Sequence, residues 1–450
     1  MINVARFISL IFNIELHDLN RYILNDSKQH VVIVGGGFGG ISAAKKLKKA
    51  DLRLTIIDRT NHHLFQPLLY QVATAALSPG DIAIPIRAIL GEQSKVKVML
   101  GDVASVNKHN QTLRLADGRS LDFDKLILAP GAHYNYFGND DWENHAPGLK
   151  TIADSLQIRE RILLSLEKAE QLDDPKLREP YLTYVIIGGG PTGVEMAGAI
   201  AEIAKRNMMR DYSNFSKDDT RIFLIEAGPK ILNGYPESLS EKARLTLENM
   251  GVSVLLNTPV TDIQKSAVTI EQGTIETPNI IWAAGVAAST LLSSLNEEQD
   301  KTGRVKVQRD LSISGNENIF VIGDAMHFEQ DGEPLPALAP VAMQQGKYVA
   351  DLITADSSRS TPFHYTDKGT MATIGRAKAV ADIRGFKFSG FFAWLIWCFV
   401  HILFLIGFRN RFRVFVEWTW FYFTFKRGVR LITNRWSDQE GQAGKAKKNE

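Results

Sequence analysis

The sequence holds a single cysteine, Cys398, and so can form no internal disulfide, structural or catalytic. Reaction classes that depend on a cysteine pair are excluded. Net charge is also nearly absent: 52 Lys and Arg against 50 Asp and Glu leave +2, so nothing global points to nucleic acid. The opening residues offer Arg6 and the short apolar stretch Ile8 to Ile14, but Glu15 and Asp18 follow and no small-residue cleavage site is present. A loosely ordered extension over residues 1–28 is expected there rather than a secretory signal. No apolar run before residue 388 approaches the length needed to cross a bilayer, so the chain cannot by itself build a proton-conducting bundle. His62 and His63 invite a metal reading, yet adjacent residues do not easily face one tetrahedral site and no Cys, His or Asp at ligand spacing joins them. No metal is expected.

What is present is a chain of 450 residues, 44% hydrophobic and 23% charged, longer than the roughly 250 to 300 residues at which a single core stops growing. Two segments are near copies, His30-Val-Val-Ile-Val-Gly-Gly-Gly-Phe-Gly-Gly and Tyr184-Val-Ile-Ile-Gly-Gly-Gly-Pro-Thr-Gly. Each reads as a buried strand, a glycine turn and a helix opening on small residues. Each is followed by an apolar strand ending in an acid, Leu54-Thr-Ile-Ile-Asp58 and Ile222-Phe-Leu-Ile-Glu226, which makes two β-α-β units and a parallel sheet in each. Further strand-and-turn signals fall at Lys125 to Gly131, Asn279 to Gly285 and Asn318 to Asp324. The expected fold class is α/β, with two Rossmann-like dinucleotide-binding domains, the first interrupted by the second, and a C-terminal helical region. The expected divisions are 29–150 and 305–375 for the first domain, 151–304 for the second, 376–437 for the C-terminal region and 438–450 for a disordered tail.

The chemistry lies in the turns. In Gly35-x-Gly37-x-x-Gly40 the first glycine permits the tight turn, the second admits a pyrophosphate and the third lets helix and strand approach, while the helix N-terminus faces the phosphates. Asp58 stands roughly twenty residues on, where an acid binds ribose hydroxyls. Gly188-x-Gly190-x-x-Gly193 repeats the pattern with Glu226 as the acid, at a longer spacing that requires an extended helix or an inserted loop over 206–220. An acid at Glu226 repels a 2′-phosphate, which favours NADH over NADPH, although Lys230 follows closely. Two such sites imply two dinucleotides, and the economical pairing is FAD accepting hydride from NADH. The first site is expected to take in Phe38, Gly39, Gln66, Val103, Gly131 and Ala325 as well, and the second Pro191, Thr192 and Gly285. Asp324, after a buried strand, is placed to reach the flavin's ribityl or phosphate region; an Asp helix cap is the alternative.

Past residue 370 the character changes. Phe388 to Phe408 is uncharged and aromatic-rich, and Arg409, Arg411 and Arg413 follow; a second apolar run, Val414 to Phe425, carries Glu417 and ends at Lys426 and Arg427. A spanning helix, a buried core helix and an interfacial anchor compete here. The arginines and Trp394, Trp397, Trp418, Trp420 and Trp436 favour the anchor.

These residues resemble the two-dinucleotide-domain flavoprotein reductases. Paired cysteines face the flavin in the disulfide reductases and sulfide:quinone oxidoreductases of that group, and this chain has none. Three stretches resemble the type II, non-proton-pumping NADH:quinone oxidoreductases: Asn61-His-His-Leu-Phe-Gln-Pro-Leu-Leu-Tyr70 with its continuation, Leu338-Ala-Pro-Val-Ala-Met-Gln-Gln-Gly346, and Lys368-Gly-Thr-Met-Ala-Thr-Ile-Gly-Arg376. The resemblance covers about residues 30 to 435. It implies oxidation of NADH through FAD and reduction of a membrane quinone, by a peripheral protein on the cytoplasmic face of the inner (plasma) membrane; whether the chain forms a homodimer stays open. It further implies that Gln344 and Gln345 line the quinone side, with Met343 in place of the usual alanine, that Lys368 lies near flavin and quinone, and that Phe65 to Tyr70 form a wall against the flavin. Glu195, which spacing alone leaves open as a helix N-terminal acid, matches an acid near the nicotinamide and quinone sides. The rival readings are a soluble reductase serving a ferredoxin-like protein and a non-catalytic NADH-sensing flavoprotein.

Overall fold

The computed structural model describes residues 28–91, 96–207, 211–355, 361–424 and 429–432. The expected N-terminal extension up to residue 27, Lys426, Arg427, Trp436 and the tail from 438 lie outside the described residues. By its contacts the chain divides into two compact units.

The first unit takes the described residues 28–64, 83–133 and 286–368. His30–Val34 is buried along its whole length, as a strand must be when helices cover both faces of a parallel sheet. It pairs in parallel with Arg53–Asp58 on one side and Lys125–Leu128 on the other. The six-stranded sheet continues through Val96–Leu100 at one edge and Asn316–Val321 and Ser312–Ile313 at the other. The first glycine turn leads into the helix Phe38–Leu47, against which Ala339–Thr354 packs: a Cβ on Gly346 would stand 2.3 Å from the Gly39 carbonyl oxygen.

The second unit takes 65–82, 134–285 and 369–432 of the described residues. Its parallel sheet runs in the order Val252–Leu255, Arg221–Ile225, Thr183–Ile187, Asn279–Trp282. The helix Pro191–Glu202 follows the second glycine turn and continues as a π-helical turn over Ile203–Asn207, so the long interval before Glu226 begins as extra helix. A three-stranded antiparallel sheet, Thr370–Gly375, Lys378–Ile383 and Phe386–Gly390, lies against that helix. The contact is backbone to backbone, because a Cβ on Gly198 would stand 1.6 Å from the Ile374 carbonyl oxygen. The helices Phe391–Phe404 and Phe408–Thr424 complete the chain.

The unit boundaries depart from the expected divisions for identifiable reasons. Tyr136 and Trp142 belong to the second unit because their rings pack on Trp282, with centroids 5.0 and 5.8 Å away. The stretch after Gly285 returns to the first unit, where the Ser294 hydroxyl accepts from the Val106 N–H at 3.1 Å and Glu297 pairs with Lys108 at 2.5 Å. Residues 65–82 join the second unit through the C-terminal helices: the Trp418 indole N–H donates to the Gln71 side chain at 2.7 Å and the Asn410 amide to the Gly80 carbonyl at 3.2 Å.

The apolar run from Phe388 to Phe408 is not one helix. It starts inside a strand, forms a helix of 14 residues and breaks at Gly407, whose φ is +86°. Such a helix is about 21 Å long, short of the roughly 30 Å hydrocarbon core. No helix among the described residues is long and apolar enough to cross a membrane, so the spanning reading falls.

Gly198→Ala forces the helix and the Ile374 strand apart. Overpacking of this kind costs about 1–3 kcal/mol. The expected outcome is a lowered thermal unfolding midpoint with the FAD content of the purified protein retained.

Candidate functional site

Both glycine turns are built alike. Gly35 has φ +102° and its missing Cβ would lie 2.1 Å from the Ala129 carbonyl oxygen; Gly188 has φ +109° with Ala283 and Ala284 backbone atoms 2.7 Å away. The third glycines are equally closed, since a Cβ on Gly40 or Gly193 would meet the carbonyl oxygen of Gly35 or Gly188 within 1.9 or 1.8 Å. The middle glycines differ. Nothing lies within 4 Å of a Cβ on Gly37 or Gly190, so at that point each turn offers open space. Each middle glycine is also the N-cap of the helix that follows, and neither helix has a side-chain cap or an acid in its first turn. The first amide N–H groups and the positive end of the helix dipole therefore face that space unscreened, which is what a pyrophosphate requires. Phe38 and Pro191 are the first residues of these helices.

The acids sit where the motifs place them. Asp58 Oδ2 accepts from the Gly36 N–H at 2.5 Å, and Glu226 Oε2 accepts from the Gly189 N–H at 2.6 Å while its Oε1 accepts from Gly228 at 2.7 Å. Each carboxylate is thus pinned to its own glycine turn, and its remaining lone pairs are available to sugar hydroxyls. Lys230, the doubt about a 2′-phosphate, pairs with Glu237 at 3.1 Å and reaches toward the Tyr235 carbonyl. The residues present therefore fit two dinucleotides, one in each unit.

The other expected residues fall into three groups. In the first unit Gly131 turns with φ +73°, Asp324 lies in the short turn Gly323–Ala325, and Ala325 and Val103 are buried. Gly39 faces the Ile322 side chain and the helix Ala339–Thr354, which makes it a packing residue. In the second unit Gly285 turns with φ +64°, Thr192 follows Pro191 in the helix, and Gln66 is exposed, its amide donating to the Lys150 carbonyl at 3.3 Å.

The glutamines behave differently from the expected wall of an acceptor pocket. Gln345 has no accessible surface, and its Oε1 accepts from the Gly323 N–H at 2.8 Å. A side chain with no surface touches no bound molecule, so Gln345 acts through the turn that carries Asp324. Gln344 holds the backbone of Thr366 from both sides at 3.0 Å, donating to its carbonyl and accepting from its N–H. That clamp fixes the segment ending at Lys368, which is exposed. His63 is buried with Nδ1 on the Gly36 carbonyl at 2.9 Å and its ring edge-on to Phe38, whereas His62 turns to Asn61.

A cleft in the second unit collects what the sequence left scattered. It is lined by Tyr70, Glu195, Glu202, Thr373, Trp397 and Tyr422, among others, and holds about 620 Å³ of space, part of it open to solvent. Glu195 is only partly buried by surface area, but the surface it shows is cleft wall. Desolvation there pushes its carboxyl up to about 8, opposed by the Thr373 N–H, which at 3.4 Å is too distant to compensate. The Tyr70 hydroxyl accepts from the Gln71 amide at 2.8 Å, and burial holds it well above the ordinary range. Burial likewise pushes the Cys398 thiol up to about 12, so it remains a thiol at neutral pH. Phe65, expected against a flavin, meets the ring of His401 at 6.1 Å. Glu202 was missed in the sequence, and Trp394, Trp397 and Trp418 were expected at a membrane interface rather than on a cleft wall. Glu202 had a signal: it lies seven residues from Glu195, two turns along one face of an otherwise apolar helix.

Two glycine turns with the geometry a pyrophosphate requires, each on its own parallel sheet and each tied to its own acid, mark the class of flavoprotein reductases with two dinucleotide-binding domains. The family model described as pyridine nucleotide-disulphide oxidoreductase matches residues 29–346, and that of the NDH2 C-terminal domain matches 368–427. The type II NADH:quinone oxidoreductase Ndh of Mycobacterium tuberculosis is 42% identical over 425 residues, covering 91% of each chain. An internal alternative NAD(P)H-ubiquinone oxidoreductase of Arabidopsis thaliana mitochondria is 30% identical, over 87% of this chain and 83% of its own. A structure of NDH2 from Plasmodium falciparum in complex with NADH shares the fold, with a TM-score of 0.82 over 90% of this chain and all of that one at 21% identity. The chain belongs to the type II NADH:quinone oxidoreductases.

Replacing Glu226 with glutamine leaves its hydrogen bonds to the turn partly intact but removes the charge that repels a 2′-phosphate. Kinetics with the two nucleotides should show the NADH preference over NADPH falling about tenfold, a loss of roughly 1.4 kcal/mol of discrimination.

Proposed function

We propose that the family's reaction, NADH oxidised through FAD with a quinone as acceptor, is divided in this chain between the two glycine turns and the Glu195 cleft. Gly35, Gly37, Gly40 and Asp58 hold FAD, with Asp324 at its ribityl or phosphate region. Gly188, Gly190, Gly193 and Glu226 hold NADH. FAD supplies, when bound, the two-electron carrier between nicotinamide and quinone. The protein's own contribution is positioning and a proton. Reduction of a quinone to quinol with NADH consumes one proton from solution, and Glu195, protonated at neutral pH, is the cleft's donor to a quinone oxygen. Gln345 and Gln344 act as positioning residues, the first for the Asp324 turn and the second for the segment that presents Lys368. The division of the chain into a split FAD domain, an NADH domain and a C-terminal region follows these roles.

The observation that carries the reading is the raised carboxyl of Glu195 inside a cleft walled by the C-terminal helices. Those helices also favour a bilayer quinone over a soluble protein acceptor. Phe391, Phe392, Leu395, Phe399 and Leu403 are exposed on one helix and Phe408, Phe412, Phe415, Trp420 and Phe423 on the other. A helix pair bathed only in water would turn polar residues outward. With Arg409, Arg411 and Arg413 beside them, these faces form an interfacial seat on an anionic membrane surface, and the protein is peripheral. The cytoplasmic leaflet and a homodimer complete the proposal.

Steady-state NADH oxidation with a short-chain quinone tests the whole: turnover is expected well above that of free flavin, and a rate no better than free flavin would refute it. Glu195→Gln should depress turnover with quinone at least tenfold and flatten a wild-type pH profile that declines as pH rises through about 8. The same raised carboxyl has a stability consequence. The folded state keeps the Glu195 proton up to about 8, whereas the unfolded chain releases it near the ordinary glutamate value of about 4.3. Glu195 therefore costs stability increasingly as pH rises through that window. Melting curves should show Glu195→Gln gaining on wild type from pH 5 to pH 9.

Phe399 and Phe412, 68% and 60% exposed, test the seat. Phe399→Glu and Phe412→Glu should each weaken binding to anionic vesicles about tenfold, read by sedimentation, with short-chain quinone activity retained. Undiminished sedimentation of the double variant would place the attachment elsewhere.

A further inference from the structure

Phe137 is an exposed aromatic residue held in the left-handed region, with φ +54° and 64% of its surface accessible. A bulky side chain there is strained. The strain is also gratuitous as turn geometry, since Gly138 stands next in the chain, itself at φ +87°. Three hydrogen bonds fix the conformation: the Phe137 N–H donates to Asn135 Oδ1 at 2.8 Å, and the Asn139 backbone and side-chain N–H groups donate to the Tyr136 carbonyl at 3.1 and 3.3 Å. Tyr136 in turn is buried, with its hydroxyl on the Ala146 carbonyl at 2.9 Å and its ring on Trp282. The turn is over-determined, and it leaves one aromatic ring largely exposed, its inner side meeting the Trp282 ring at 6.1 Å.

The order of the sheet says what that ring faces. Arg221–Ile225, which ends at Glu226, lies on one side of Thr183–Ile187, and Asn279–Trp282 lies on the other. A dinucleotide crossing the carboxyl ends of such strands sets its adenosine ribose on the acid and its pyrophosphate on the glycine turn. Its far end then falls beside Ala283 to Gly285, where a Cβ on Gly188 would stand 2.7 Å from the Ala283 and Ala284 backbone. The Phe137 ring rests on that segment, 2.5 Å from where a Cβ on Gly285 would be.

We propose that Phe137 contacts the nicotinamide end of NADH and sets its position, an inference that rests on the assignment of Gly188 to Gly193 and Glu226 to NADH. A planar ring at this place offers stacking area to the nicotinamide. Its face also attracts the positive charge that the nicotinamide acquires as hydride leaves.

The test uses the full-length holoprotein and three variants, Phe137→Asn, Phe137→Ala and Phe137→Tyr. Asparagine tolerates the left-handed region, so Phe137→Asn relieves the strain while removing the ring. The expected result is a KM for NADH raised about tenfold, the scale of a lost aromatic contact, with a parallel rise in the inhibition constant for NAD⁺. FAD content and the KM for quinone stay unchanged, the melting midpoint stays equal or rises, and Phe137→Tyr retains near wild-type values. Phe137→Ala should share the kinetic defect. Unchanged NADH and NAD⁺ constants in both ring-deleted variants, with an active wild type, would overturn the proposal alone. A fall in melting midpoint with both substrates' KM values shifted together would also overturn it, in favour of a structural role. An inactive wild type would instead sink the reading of the site as an NADH site.

Discussion

Backbone meeting backbone with no side chain between is the constraint on which the rest of this molecule depends. Gly35 stands against the carbonyl of Ala129, Gly188 against the backbone of Ala283 and Ala284, and Gly198 against the carbonyl of Ile374. None of these approaches survives a methyl group. The third draws a helix down onto a sheet, while the first two press each glycine turn against the end of a neighbouring strand, beside the open space over the middle glycine that the N-terminal amides of the next helix face. Turns of this geometry favour a phosphate through packing and the helix dipole, with no cationic side chain required.

Around that frame the chain uses carboxylates in two opposite electrostatic settings. Asp58 accepts from the Gly36 N–H of its glycine turn, and Glu226 from the Gly189 N–H of its turn and the Gly228 N–H just beyond the acid. Glu195 has one distant amide and lies on the wall of a cleft rich in tyrosine and tryptophan, where desolvation favours the neutral form. The same functional group is tied to backbone amides in two places and left with a single distant one in the third, where burial raises its carboxyl.

The parts legible in the sequence were those in which a residue type answers a backbone need. Glycine spacing and the acid at the end of the following strand located both tight turns and the carboxylate tied to each, because the geometry admits few other solutions. Legibility failed where the choice was made by tertiary contact. Nothing in Gln345 announces that its amide is taken up by Gly323, and nothing in 65–82 says that Trp418 and Asn410, more than three hundred residues on, will claim it. The apolar run from Phe388 to Phe408 misled by its composition: hydropathy ignored the strand before Gly390 and the break at Gly407. The aromatic turn at Phe137 was invisible for a related reason, since sequence does not reveal a bulky residue with positive φ.

The helix Pro191–Glu202 serves two sites at once. Its N-terminus supplies the second glycine turn's amides, its middle and far turns carry Glu195 and Glu202 on the cleft wall, and Gly198 locks it to the sheet that continues that wall. It is in effect a rigid gauge set between nucleotide and cleft. Any change that tilted or slid it to suit a different nucleotide would misplace the carboxyl at the other end, so nucleotide preference has to be adjusted off the rod, at Glu226 and its neighbours. On the proposed assignment of the two sites, drift in nucleotide choice among such proteins would then leave the helix itself, and the cleft it reaches, untouched.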